Sequence, residues 1–430
     1  MFPIYAVILG LSFLSILPQD ASGTCELKTA SPCPHVLINF GSKHILSTSP
    51  ETYKREDGET IELFCATGFS ITQSNSYYNS LVSDALTKTS LTMKCGHNNY
   101  FTYKNEAAPN LMVRCRTEVT QLFESNTSLP NCTDMTLVVG RSFGSMGLMK
   151  NAALCYDLGA AQLKYLGYTT FPETQIVGPT HLGQLNDIGL NILVNYQKTL
   201  FKTISQMELS EYLAGEKLFT EDTFQVGSLV QDEIAGRNLV GYEGLMTTIW
   251  LRALRLGNWK HWTTAMHAAV GVHFDVRLGV SGALEPPMVP GQSCNSTISF
   301  RIELADGRAV HIPTHIWAHL NAVEKTGTGQ DEFVIIGHNS PFYRSNSSSL
   351  CPSMCNQVSW LRNSLFASLH EFPAYGMVQC CRVEDVAHKL DNFPGPFENV
   401  NPTTKTEVTP PTLEFLYPEV LGKETNVDMY

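Results

Sequence analysis

Between Gly244 and Phe274 the chain has no Asp or Glu, although its formal charge is −11 over 430 residues. The same stretch holds Arg252, Arg255, Lys260, His261, His267 and His273, and three of the five tryptophans, Trp250, Trp259 and Trp262. Cations interleaved with flat rings suit a polyanion that also offers faces for stacking, which is the chemistry of nucleic acid. The plain structural alternative is a solvated basic face over buried tryptophans. An acidic total excludes a general polycation, so any nucleic-acid affinity must come from a local field.

Other residue groups carry less. His311, His315 and His319 have metal-ligand spacing only on a helix, and Pro313 with the strand pattern Ala309–Ile312 argues against one. Cys351-x3-Cys355 with Cys380-Cys381 has the residue count of a thiolate zinc site. In an oxidising compartment the twelve cysteines are expected to form disulfides instead. Ser228 has no Ser-His-Asp arrangement to activate it.

The compartment follows from the first residues. The apolar run Ile4–Leu17 is too short for a membrane span, and small residues at Ala21 and Gly23 mark residues 1–23 as a secretory signal. The mature chain is expected to be secreted, with no membrane segment. Asn126, Asn131, Asn295 and Asn346 begin glycosylation sequons.

The elements that must position these groups fall into regions. Residues 24–134 are cysteine-dense, with short apolar bursts separated by turn residues, which predicts a disulfide-rich β domain. Residues 135–395 form the second region. There Met135–Gly140, Gln162–Gly167, Phe274–Val280, Ser299–Leu304, Ala309–Ile312 and Glu332–Ile336 read as strands. The spacing predicts helices over Ile188–Leu213, Asn258–Val270 and Gln357–Leu369, and a short one over Val383–Leu390. Trp259, Trp262, Met266 and Ala269 would share one helix face, and core packing is the preferred role for that stripe. Residues 396–430, rich in Pro, Thr and acids, are expected to be a flexible tail.

Several segments match one family in order: Gly257-Asn258-Trp259, Ile312-Pro313-Thr314, Ile336-Gly-His-Asn-Ser-Pro341, Cys351-x3-Cys355 with Trp360-Leu361, and Tyr375-Gly-Met-Val-Gln-Cys-Cys381 with Val383-Glu384-Asp385. With the N-terminal Gly58-Glu59-x-Ile61-x-Leu63-x-Cys65, the pattern resembles the secreted arthropod branch of the DNA/RNA non-specific endonucleases. The resemblance implies an α+β fold: a ββα-metal nuclease-like domain on a mixed sheet, preceded by the cysteine-rich domain. In that family an Asp-Arg-Gly-His motif supplies a His as general base, and an Asn on the next helix holds one Mg²⁺.

Carried onto this chain, the resemblance implies that the cluster has been lost. Gln225, Val226 and Ser228 replace the Asp, Arg and His, and only Gly227 remains. Arg252 takes the place of the metal-binding Asn, Thr263 that of a Glu and His267 that of an Arg. No Mg²⁺ or other cofactor is then expected. Ser228 and Arg252 are expected to face each other across one groove, with Arg252, Arg255, Lys260 and His267 binding the phosphates of DNA or RNA. Two alternatives stand beside this: a weakly active Mg²⁺-dependent endonuclease using His267 or His273 as base and Asp275 as ligand, and a secreted interaction protein that no longer binds nucleic acid.

Overall fold

Leu148–Asp157, Phe274–Ser281 and Glu332–His338 are strands buried along almost their whole length, and Met135–Ser142 and Gln162–Thr169 are strands buried along most of theirs. Alternating residues enter two different cores, so both faces of their sheet are covered. Leu137 and Val139 point into one core and Val138 into the other. These strands come from a computed structural model. It describes residues 23–397 apart from 41–42, 48–51, 73–78, 109–110, 118–119, 171–174, 179–182, 195–203, 216–218, 270–271, 286–298, 305–306, 324–330 and 343–348. The expected signal segment apart from Gly23, nearly all of the expected tail, Cys294 and the sequons at Asn295 and Asn346 lie outside the described residues.

The sheet has nine strands. Their order is Ile192–Leu193, Gln121–Glu124, Met135–Ser142, Leu148–Asp157, Gln162–Thr169, Phe274–Ser281, His315–Ala322, Glu332–His338 and Val378–Cys381. Every neighbouring pair is antiparallel. One face packs against Trp250, Trp259 and Trp262. The other packs beneath Val383 and Val386, beside the Cys132–Cys155 and Cys351–Cys381 disulfides.

The N-terminal region forms a four-stranded sheet and most of a seven-stranded one around a separate core, stapled by Cys25–Cys95 and Cys65–Cys115. The two regions are joined directly. Gln175–Val177 adds to the edge strand Lys43–Ser47 of the seven-stranded sheet. Leu37 and Phe64 pack with Phe143, Met149 and Val177. Gln121–Glu124, although upstream of Cys132, belongs to the nine-stranded sheet. The described residues up to Gly395 form one compact unit.

The fold is therefore mixed α/β with mostly sheet content, and five disulfides lie among the described residues. The Cys351–Cys381 and Cys355–Cys380 bonds consume the four thiols that had zinc-site spacing. Among the described residues Cys33 has no disulfide partner, and it is exposed. Among the described residues no helix is long and apolar enough to cross a membrane.

Two helix expectations need correction. Among the described residues of Ile188–Leu213, which exclude 195–203, the part from Gln206 on is helical, in the helix Gln206–Gly215. Ile192–Leu193 instead pairs with Phe123–Glu124, because an open sheet edge offers backbone partners that outweigh a helical apolar spacing. The span Gln357–Leu369 holds only the end of the 3-10 turn Cys355–Gln357 and the helix Leu365–Leu369.

Candidate functional site

Phe224–Ser228 and Thr247–Leu251 pair as a two-stranded antiparallel ribbon outside the large sheet. A helix follows Leu251 at once, so the local order is strand, strand, helix. It runs through Arg252–Leu254 and a widened turn at Arg255–Trp259 to Lys260–Ala268. The break lies at Gly257, whose φ of −100° and ψ of −114° are not helical. A Cβ there would sit 2.3 Å from the Tyr375 carbonyl oxygen, so only glycine admits that backbone. The contact is reciprocal: Gly376, at φ 78°, leaves no room for a Cβ against Leu254 Cα, which would be 2.3 Å away. The Asn258 amide completes the lock by donating to the carbonyls of Leu369 and Gly376 at 2.7 and 2.5 Å.

Asn339 ties the ribbon to the body. Its Oδ1 accepts from Leu251 N at 2.5 Å, and its Nδ2 donates to the carbonyls of Ile249 and Pro313, each at 2.9 Å. The residue is fully buried, so these bonds face no competition from water. The segments Gly257-Asn258-Trp259, His338-Asn339 and Tyr375-Gly376 thus form one scaffold under the helix.

The tryptophans belong to that scaffold. Trp250, Trp259 and Trp262 are each 0% exposed. Their rings meet edge to face at centroid distances of 5.3 Å, and Trp250 Nε1 donates to the Ser228 carbonyl. None offers a face for a base to stack on. The core role expected for Trp259 and Trp262 is the one observed.

The helix presents Arg252, Leu256, Lys260, Thr264 and His267 to solvent, roughly one per turn. Arg252 Nη1 is bound to Asp222 at 2.6 Å, with both side chains largely exposed. His267 is paired as well: its Nε2 lies 2.9 Å from Oδ1 of Asp232, a carboxylate with 1% side-chain exposure. That hydrogen bond raises the His267 pKa against the opposing effect of burial. Asp232 also caps the helix Glu233–Arg237 by accepting from Ile234 N and Ala235 N.

Ser228 and Arg252 do not face each other. In the ribbon Ser228 is opposite Thr247, while Arg252 follows Leu251 at the other end and donates its amide to Thr223 O. Thr247 and Arg252 are five residues apart, about 16 Å of extended chain. The helix turns back along the ribbon and brings Arg255 to that place instead. Its Nε donates to Gln231 Oε1 at 3.1 Å, and a Cβ on Gly227 would lie 2.5 Å from the guanidinium carbon. The Ser228 hydroxyl accepts from Val230 N and closes a tight turn. Val226 N donates to Gln206, and Gln225 Nε2 is buried without a partner among the described residues. Thr263 is buried, and its hydroxyl donates to the Lys260 carbonyl within the helix.

These side chains do not fit a Mg²⁺ ion. Such an ion takes several oxygen ligands, including carboxylates. Gly227 meets instead the Arg255 guanidinium, and Asp232 Oδ1 accepts from two backbone amides and pairs with His267. Asp275 is buried and accepts from Thr169 Oγ1 and Gln184 N. Among the described residues no three of His, Cys, Asp and Glu gather as a metal site. His315 and His319 lie on one strand, with His311 on a neighbouring hairpin. His319 contacts Glu332, and burial holds His315 and His319 down to about 4 and His338 to about 3.

Sequence reasoning missed Asp232, Gln231 and Asn339 as site-shaping residues. Asp232 was findable as a helix N-cap, but its pairing with His267, 35 residues later, depends on the tertiary fold. No family model matches the chain, and no curated protein matches it.

Proposed function

We propose that the ribbon and helix form a nuclease-like ββα element, in a secreted protein, that binds the phosphates of DNA or RNA without hydrolysing them. The observation that carries this reading is the cationic helix: Arg252, Lys260 and His267 line its exposed side, with Arg255 folded over Gly227 beneath. A guanidinium at that position can hold a phosphate through paired hydrogen bonds and needs no metal. Among the described residues the hydrolytic half of the chemistry has no counterpart: the Ser228 hydroxyl closes a turn by accepting from Val230 N, and a phosphodiester is extremely stable without base or metal. Five disulfides fit passage through an oxidising compartment.

A second reading has specific support. Arg252 and His267 are both paired with acids, and the three tryptophans are buried. That favours a secreted interaction protein that has lost nucleic-acid contact. One experiment separates the two. Fluorescence anisotropy with labelled DNA and RNA oligonucleotides is run with and without EDTA across a salt series, with gels of the same samples read for cleavage. The binding reading expects micromolar affinity that survives EDTA, falls steeply with salt, and drops about tenfold in Arg252→Glu/Lys260→Glu. Absence of binding at micromolar protein favours the interaction protein, and Mg²⁺-dependent cleavage favours a live endonuclease.

A further inference from the structure

The three tryptophans of the helix region are buried, yet two other rings beside that helix stand outside the core. Phe372 and Tyr375 bracket the short 3-10 turn Pro373–Tyr375 and are 55% and 43% exposed. Among the described residues Tyr100 is the one other exposed large ring, so the pairing on a single turn is unusual for this chain. The turn is held against the helix: the Tyr375 backbone packs on Gly257 and the Gly376 backbone on Leu254. The Tyr375 ring lies 6.1 Å from the His261 ring, centroid to centroid. Leu256, also exposed, belongs to the same bend of the helix. Lys260 precedes His261 and is exposed, and unlike Arg252 and His267 it makes no ion pair among the described residues. Burial and then the Lys260 cation hold the His261 pKa below its ordinary value, so its ring is uncharged at neutral pH. The turn also carries an acid, Glu371, exposed next to Phe372.

Cations and bare rings thus lie side by side. A duplex uses its phosphates but hides its base faces in the stack, whereas a single strand can turn bases outward onto aromatic rings. Glu371 disfavours phosphate at the turn itself and leaves the rings to uncharged bases. We propose that this surface selects single-stranded DNA or RNA, with phosphates along Arg252 and Lys260 and unpaired bases stacked on Phe372 and Tyr375. The inference rests on the nucleic-acid reading above and names the class of strand that the site takes. Sequence preference should be weak, because every base has a face to stack.

The test is fluorescence anisotropy on the full chain in EDTA, with a labelled oligothymidylate of about 20 nucleotides and a labelled duplex of the same length. Phe372→Ala/Tyr375→Ala should weaken single-strand binding about tenfold and duplex binding less than about twofold. Phe372→Leu/Tyr375→Leu keeps apolar bulk but removes the flat rings, and it should lose as much. Circular dichroism identifies any variant that fails to fold, and a measurement on the unaltered chain then decides. A strand carrying 5-iodouracil, irradiated in the complex, should crosslink to the peptide that holds Phe372 and Tyr375. Equal losses on both ligands, full affinity in the leucine variant, or crosslinks confined to other peptides would overturn the proposal while nucleic-acid binding stands. So would an alanine variant that binds both ligands like the parent, which would leave the exposed rings to a protein partner. Failure of the parent chain to bind either oligonucleotide overturns the nucleic-acid reading, and this inference with it.

Discussion

Removing the side chain of Asn339 should loosen the whole ribbon. The amide makes three hydrogen bonds in a fully buried position, to Leu251 N, Ile249 O and Pro313 O. Each is worth about 1 kcal/mol net, and each partner left buried without a replacement adds about 1–3 kcal/mol before relaxation. Asn339→Ala is therefore expected to cost about 3–5 kcal/mol, a large share of the roughly 5–15 kcal/mol that holds a typical protein folded. Urea unfolding at pH 7, followed by tryptophan fluorescence, reads this directly because Trp250 lies in the ribbon and packs on Trp259. Asn339→Asp sharpens the test. It keeps the shape and the acceptor for Leu251 N, but turns a carboxylate oxygen toward two carbonyls in a dry interior. It should be at least as unstable as Asn339→Ala. Stability of Asn339→Asp within about 1 kcal/mol of the parent would refute the donor role, because an acceptor alone would then suffice.

Gly376→Ala should cost about 2–4 kcal/mol: about 1 for a positive φ and the rest for overlap with the Leu254 backbone. Gly58→Ala, also at positive φ but with nothing within 4 Å, should cost only about 1 kcal/mol in the same denaturation assay. Equal costs would remove the case for a close approach at Gly376. The His267–Asp232 pair sets a pH dependence. Because the folded pKa of His267 is raised, its contribution is fully present below the unfolded value near 6.5 and is lost as pH rises through the folded value. The stability gap between the parent and His267→Ala should be about 1 kcal/mol at pH 5.5 and shrink above neutrality, as measured by urea titrations at a series of pH values. A gap that widens with pH would contradict the assignment.

What could be read from the sequence divides along physical lines. Strands such as Met135–Ser142 and Glu332–His338 were legible because continuous apolar runs of that length have few other fates. His315–Ala322 was not, because its two histidines and one asparagine look polar, and the pairing of His319 with Glu332 that helps make the burial tolerable is not visible in a strand pattern. The cationic residues of the helix were visible as a gap in the acids, but their partners were not. Asp222 and Asp232 lie 30 and 35 residues away from Arg252 and His267, on a segment that the ribbon folds back. One turn of helix separates Arg252 from Arg255, yet that turn decides which cation meets Gly227 and which meets solvent. The deciding residue is Gly257: its non-helical backbone fixes where the helix bends against Tyr375, and so which arginine folds back over the ribbon. A spacing of residues alone does not carry that information, because the bend is made by a contact with a turn more than a hundred positions downstream.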